Sequence, residues 1–280
     1  QYYFSGGLLY YSVMPRLTEF IFTPLIYFTG TVGPKFVQYL SGLLTCYFIY
    51  KIGHQIQIKK YYLWLGISLF YCTWLVSWES SSAYIDLFRA LLEVIALYLI
   101  IKKSYLMGGV FIGLAVGTKW LSLISLFIYV FVFGLQILPT ALIVSAPWFF
   151  IAYYYTKNPV YPLFSGVLEN GFQSISQAIK NLLFAPFHLT IPFDDFISPY
   201  LGILFIICVL VLVYQKGDIK KIATIGFLGS VSTLLLDPPS ARFLLPYLPA
   251  IIISALFLVQ KYLSKQSLTI GYLCLISAFG

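Results

Sequence analysis

Long apolar runs separated by short basic connections constrain the fold of this chain more than any single motif does. Ten such runs stand out, at about 36–50, 61–78, 84–101, 105–118, 120–138, 140–155, 200–214, 222–236, 243–260 and 268–280. A membrane-crossing helix needs about 20 mostly apolar residues, and these runs meet or approach that length. Charged residues are 9% of the chain, against about 25% in soluble domains, whose water-facing surface requires them. The expectation is an all-α, polytopic integral membrane protein of about nine or ten transmembrane helices, forming a single transmembrane domain over residues 1–280. The stretch Phe20 to Gly30 contains Pro24 and is too short to cross, so it is expected to be re-entrant or interfacial. The chain has no initiating Met and stops inside a short apolar run. It therefore reads as a fragment of a longer protein.

The connections give the orientation, because cytoplasmic loops of membrane proteins carry an excess of Lys and Arg. If the first run passes from outside to inside, one side receives Lys51, Lys59, Lys60, Lys102, Lys103, Lys216, Lys220, Lys221, Lys261 and Lys265, with Asp218 as its acid. The other side receives Arg16, Lys35, Lys119, Lys157, Lys180 and Arg242, offset by Glu19, Glu79, Glu169, Asp194, Asp195 and Asp237. The lysine-rich side is taken as cytoplasmic, with an uncharged tight turn at Pro139 among its loops. The net charge of +8 follows from this topology and does not imply nucleic acid. The expected location is the cell membrane, crossed many times.

The longest connection, 157–199, falls outside on this topology, and its prolines divide it into turns. Within it, Val167 to Leu183 reads as an amphipathic segment suited to the membrane surface. The four cysteines, Cys46, Cys72, Cys208 and Cys274, sit in apolar runs and act there as small hydrophobes.

Ionisable side chains at membrane depth are costly, so each marks a candidate site. Asp86, Arg89 and Glu93 recur at i, i+3 and i+7 on one helix, which puts them on one face. Asp86 lies at its outer mouth and is the candidate for chemistry; Arg89 and Glu93 suit a neutralising stack inside the helix packing equally well. Lys119 interrupts the run GLAVGTKWLSL at the outer rim. It is either a snorkelling lysine beside a belt tryptophan, Trp120, or a ligand for phosphate. Arg242 starts a helix in SARFLLPYLPAI, where its charge opposes the helix dipole and an anionic ligand would compensate. Arg16 and Glu19 in MPRLTEF form a weaker pair, explained as well by an interfacial ion pair. His188, Asp194 and Asp195 occupy the outer loop, and His54 falls on the opposite side, so no His-based metal site is expected. No Gly-rich phosphate loop or nucleophile elbow is present. A sugar donor used on the outer side would then ride on a lipid phosphate.

At this point the residues resemble a known family. In order, SSAYIDLFRALLEV, GLAVGTKWLSL, SAPWFFIAYYYTKNPVYPLF, FAPFHLTIPFDDFISPYLGILF and SARFLLPYLPAI resemble the GT-C superfamily of polytopic glycosyltransferases. The likeness is to its dolichyl-phosphate-mannose protein mannosyltransferase and aminoarabinose transferase group, over about residues 10–262. The resemblance implies a polyprenyl-phosphate sugar donor and a lipid, glycan or protein acceptor at the outer membrane face. It implies Asp86 as an outer-loop carboxylate acting on the acceptor, and Lys119, Arg242 and Arg16 as basic groups for the lipid phosphate. It leaves room for a divalent cation and names no certain cofactor. The family usually carries an Asp before a Tyr-His pair in its first outer loop, where this chain has Gly6-Gly7 and Tyr10-Tyr11. Either that acid lies upstream, or Glu19 substitutes, or this member is altered. Two other readings compete: a transporter using the Asp86/Arg89/Glu93 face, and a non-catalytic subunit of a glycan-assembly complex.

Overall fold

The computed structural model describes residues 12–162, 174–184, 201–236 and 240–262. Those residues are helical throughout their regular structure, with no strand among them, so the all-α expectation holds. The helices are α1 (Leu17–Thr29), α2 (Val32–Gln55), α3 (Lys60–Tyr71), α4 (Trp74–Ser80), α5 (Asp86–Ile101) and α6 (Tyr105–Thr118). They continue with α7 (Ser122–Phe133), α8 (Leu138–Thr156), α9 (Ile175–Leu183), α10 (Leu201–Tyr214), α11 (Asp218–Leu234) and α12 (Leu248–Tyr262). Short 3-10 turns, Leu135–Ile137 and Ala241–Leu244, lead into α8 and towards α12.

Helices cover nine of the ten apolar runs, and the tenth, 268–280, lies outside the described residues. Three boundaries differ from the sequence reading. The run 61–78 is two helices, broken where Thr73 adopts an extended backbone. The reversal expected at Pro139 occurs at Gly134, which takes φ 98°. Glycine adopts that conformation without a Cβ penalty, whereas Pro139 sits in the first turn of α8, where its missing N–H costs nothing. Phe20 to Thr29 lies within α1, with Gly30 as its C-cap, and the 13 residues of the helix extend only about 20 Å.

The connections between helices sort the charges into two ends. Sixteen residues of α5 put about 24 Å between Asp86 at its start and Lys102 beyond its end. Cross-chain contacts identify each end. The Lys59 backbone N–H donates to Gln260 Oε1 at 2.6 Å, and Lys221 lies 5.4 Å over the Phe133 ring, at the lysine-rich end. At the opposite end Lys119 meets Asp86, and Arg242 meets Tyr84.

The core between the ends is aliphatic, with Ile49, Leu63, Leu87, Ile112 and Ile252 fully buried. Small residues let the helices approach. On α6, Gly109, Gly113 and Gly117 recur every fourth position, and a Cβ on Gly113 would stand 2.7 Å from the Ala141 carbonyl oxygen of α8. This is the close packing that small-xxx-small spacing permits. Buried hydroxyls turn back on their own helices: Ser41 donates to Val37 O, Ser145 to Ala141 O and Ser254 to Ala250 O, all at 2.7–2.8 Å. Such bonding keeps a hydroxyl satisfied where no water reaches it. Among the described residues, one helical stretch, Leu135–Thr156, is long and apolar enough to cross a membrane.

Candidate functional site

The sequence-predicted site residues come from separate stretches of chain, and the structure gathers them at the end of the bundle where α5 begins. Asp86 is the first residue of α5, so its carboxylate complements the positive end of the helix dipole. The start of α5 is held from outside: Gln38 of α2, itself buried, accepts from the Phe88 N–H at 3.3 Å. That bond occupies one of the backbone donors a helix start leaves open and fixes Asp86 in place.

Asp86 is 1% exposed, and its Oδ1 accepts from Lys119 Nζ at 2.7 Å. Its Oδ2 has no hydrogen-bond partner among the described residues. Lys119 caps the C-terminus of α6, and its side chain, 21% exposed, is the part of the pair that reaches the surface. The ammonium lies 4.9 Å from the Phe243 ring centroid. Burial pulls the lysine below its usual pKa, while Asp86 acts in the opposite direction. The residue expected to snorkel or to bind phosphate is thus paired with the residue expected to do chemistry. Trp120 is not a lipid-facing belt residue: it is buried, and its indole N–H donates to Tyr161 O at 3.1 Å.

Arg242 lies in the 3-10 turn before α12, and so does not start that helix. Its charge is met by the Tyr84 ring, 4.8 Å from the guanidinium, a cation–π contact. It also acts on a carboxylate that the sequence reading passed over, Glu79. This residue closes α4, is fully buried, and has no hydrogen-bond partner on either carboxylate oxygen among the described residues. Burial first, and then the like charge of Asp86, push its pKa from 4.5 up to about 8; Arg242 and Lys119 pull the other way. The available signal was local: an acid ending an apolar run in TWLVSWES. Glu19, exposed on the first turn of α1, stands within electrostatic reach of Arg16 and Lys119.

One turn deeper lies a second layer. Arg89 does not share Asp86; it pairs with Glu93 at 2.9 Å, the i, i+4 neighbour, with both side chains buried. Ser122 Oγ donates to Glu93 Oε1 at 3.0 Å, and Arg89 Nη2 donates to Ser125 Oγ at 3.3 Å. Ser125 is 2.8 Å from the Tyr247 hydroxyl, and the Tyr129 hydroxyl donates to Glu93 O at 3.0 Å. This layer ties α5 to α7 and to the turn that precedes α12 beneath the site. Sequence spacing found the two charges but not the hydroxyls that hold them.

Among the described residues, no group of three or more His, Cys, Asp or Glu side chains could hold a metal ion. His188, Asp194, Asp195, Gly6-Gly7 and Tyr10-Tyr11 lie outside the described residues. No family model matches the chain, and neither does any curated protein or any solved structure.

Proposed function

We propose that this chain is a multi-pass membrane glycosyltransferase that moves a sugar from a polyprenyl-phosphate donor to an acceptor hydroxyl at the carboxylate end of the bundle. The observation that carries the reading is the convergence of Asp86, Glu79, Lys119 and Arg242 at one end of an otherwise apolar helical body. The opposite end carries lysines. The membrane part is supported by surface chemistry: Phe127, Phe131, Ile143 and Phe150 are 71–78% exposed. The stretch Leu135–Thr156 has only 22% of its apolar window buried. A core helix of a soluble protein would bury that face, because contiguous exposed apolar surface favours association over solution.

In this mechanism the lipid phosphate takes the place of Asp86 on Lys119, whose ammonium has three donors and reaches the surface. Arg242 offers a second cation to the charge that develops as the sugar–phosphate bond breaks. Asp86, released from Lys119, then accepts the proton of the attacking hydroxyl, a role worth about 10²–10⁴-fold in rate. Glu79, neutral near pH 7, leaves room for that charge to move.

The test is transfer from a polyprenyl-phosphate sugar by the full-length protein in vesicles, compared with Asp86→Asn and scored per folded molecule. Loss of transfer with folding retained supports the reading, and a fully active Asp86→Asn protein removes Asp86 from it. Sidedness is read in a cysteine-free background with cysteine placed at Ser81 or at Lys59, both exposed. Ser81→Cys should react with an impermeant thiol reagent in intact cells and Lys59→Cys should not; the reverse pattern overturns the outer-face assignment. The transporter reading rests on the buried polar layer beneath Asp86, in which Arg89 bonds both Glu93 and Ser125, and Ser125 meets Tyr247. Solute uptake without glycosyl transfer would favour it.

A further inference from the structure

At the lysine-rich end, far from the proposed site, a cleft of about 430 Å³ opens between the C-terminal ends of α2 and α5 and the start of α3. Its wall carries Lys51, His54, Lys60 and Lys102, with the Tyr50 and Tyr98 rings between them, and no acid lines it. Its size is in the range of about 300–1,000 Å³ typical of small-molecule sites. None of the three lysines forms an ion pair among the described residues. Lys102 rests instead over the Tyr98 ring at 4.8 Å, and Lys51 over the Tyr47 ring at 5.7 Å. The helix α3 begins here at Lys60, so the positive end of its dipole lies at the same end of the bundle.

Two observations say that an anion alone would not complete the fit. Trp64 stands one turn beyond Lys60 on α3, 62% exposed and 6.1 Å from the Tyr50 ring. An amphipathic ring in that place suits the level of lipid headgroups. Above Lys51 on α2, the exposed side chains Leu40, Leu43, Leu44 and Tyr47 form an apolar stripe leading away from the cleft. Cations sit at the base, a tryptophan at the rim, and a lane for hydrocarbon rises above.

We propose that this cleft binds the headgroup of an anionic phospholipid, its phosphate among Lys51, Lys60 and Lys102 and its acyl chains along the α2 stripe. The proposal rests on the membrane reading but not on glycosyl transfer, and its test needs no transferase activity. Juxtamembrane cations each contribute about 1 kcal/mol towards acidic lipid, so each lysine accounts for about a fivefold preference. Full-length protein in dioleoyl-phosphatidylcholine nanodiscs is titrated with phosphatidylglycerol, and the lipid retained is counted by native mass spectrometry. The intact protein should retain phosphatidylglycerol over phosphatidylcholine by tenfold or more. Lys51→Gln, Lys60→Gln and Lys102→Gln should each reduce that preference about fivefold, while Lys216→Gln, outside the cleft, should not. Equal retention of the two lipids, or an undiminished preference in the triple variant, overturns the proposal. Displacement of the lipid by millimolar inorganic phosphate, with no phosphatidylglycerol dependence left, would identify a soluble anion as the ligand and overturn it as well. Lys60, Lys102 and Lys216 are exposed and Lys51 is half-buried, so folding is checked by the unchanged binding of phosphatidylcholine. A chain that retains phosphatidylglycerol but transfers no sugar would leave this site standing and remove only the proposed activity.

Discussion

The two ends of the bundle carry cations in opposite ways. At the carboxylate end the two cations beside the site have internal answers: Asp86 for Lys119 and the Tyr84 ring for Arg242. At the other end Lys51, Lys60 and Lys102 face a common cleft with no acid in its wall. Both ends belong to the same helices, so the difference does not come from the fold. A cation already paired inside the protein can be exchanged for a ligand's anion, and its former partner is freed for chemistry. A cation with no acid beside it is open to an anion from outside, and binding it frees no carboxylate. The first arrangement suits turnover, the second suits anchoring.

The largest way to break this contrast is to remove a carboxylate from the matched end. Glu93→Ala leaves Arg89 buried and charged with only Ser125 as a side-chain hydrogen-bond partner among the described residues. Breaking a buried ion pair costs about 3–5 kcal/mol, so the detergent-solubilised protein should lose most of its thermal stability. Lys102→Ala, at the unmatched end, should stay within about 0.5 kcal/mol of the intact protein, as exposed substitutions do. Equal losses in thermal melts of the two variants would remove the distinction between the ends.

Next in size is the Asp86–Lys119 pair, one partner buried and the other a fifth exposed. A double-mutant cycle with Asp86→Asn and Lys119→Met isolates its coupling energy, expected at about 1–3 kcal/mol, between the values for exposed and fully buried pairs. If the pair opens for donor phosphate, adding a polyprenyl-phosphate ligand should reduce the coupling towards zero. A coupling that the ligand leaves unchanged would make the pair structural.

The all-α class was legible because long apolar runs are a property of composition along the chain. They mark where helices form without any knowledge of packing, though not where a run breaks into two, as 61–78 does at Thr73. The partners were legible only in part. The spacing of 86, 89 and 93 put three charges on one face, but pairing depends on what the neighbouring helices bring. Lys119 is contributed across the bundle to Asp86, so Arg89 turns to Glu93. Gly134 took the reversal from Pro139 because a positive φ needs glycine, whereas proline is at home in a first helical turn. Glu79 escaped notice because an acid beside tryptophans at a helix end looks like an ordinary interfacial residue. Its burial and missing partners arise only when α4 packs against α5.

The effect most particular to the matched end is the pH dependence of Glu79. Its carboxyl holds a proton in the folded protein up to about pH 8, because burial and Asp86 both oppose the charged form. In the unfolded chain the same group ionises near 4.5. The folded state therefore binds more protons across the window from about 4.5 to about 8, and linkage makes stability fall as pH rises through it. Below the window both states are protonated and the group contributes nothing; above it the cost is complete. Glu79→Gln cannot ionise and keeps the size of the side chain. Its thermal midpoint should match that of the intact protein at pH 4.5 and exceed it by a margin that grows through pH 7 and levels off above pH 8. The lysine cleft has no acid in its wall, so Lys60→Gln should show no such window. If the Glu79→Gln and parent curves run parallel from pH 4.5 to 9, Glu79 is ionised in the folded protein. Arg242 and Lys119 would then outweigh burial, and the end of the bundle would hold two carboxylate charges against two cations rather than one.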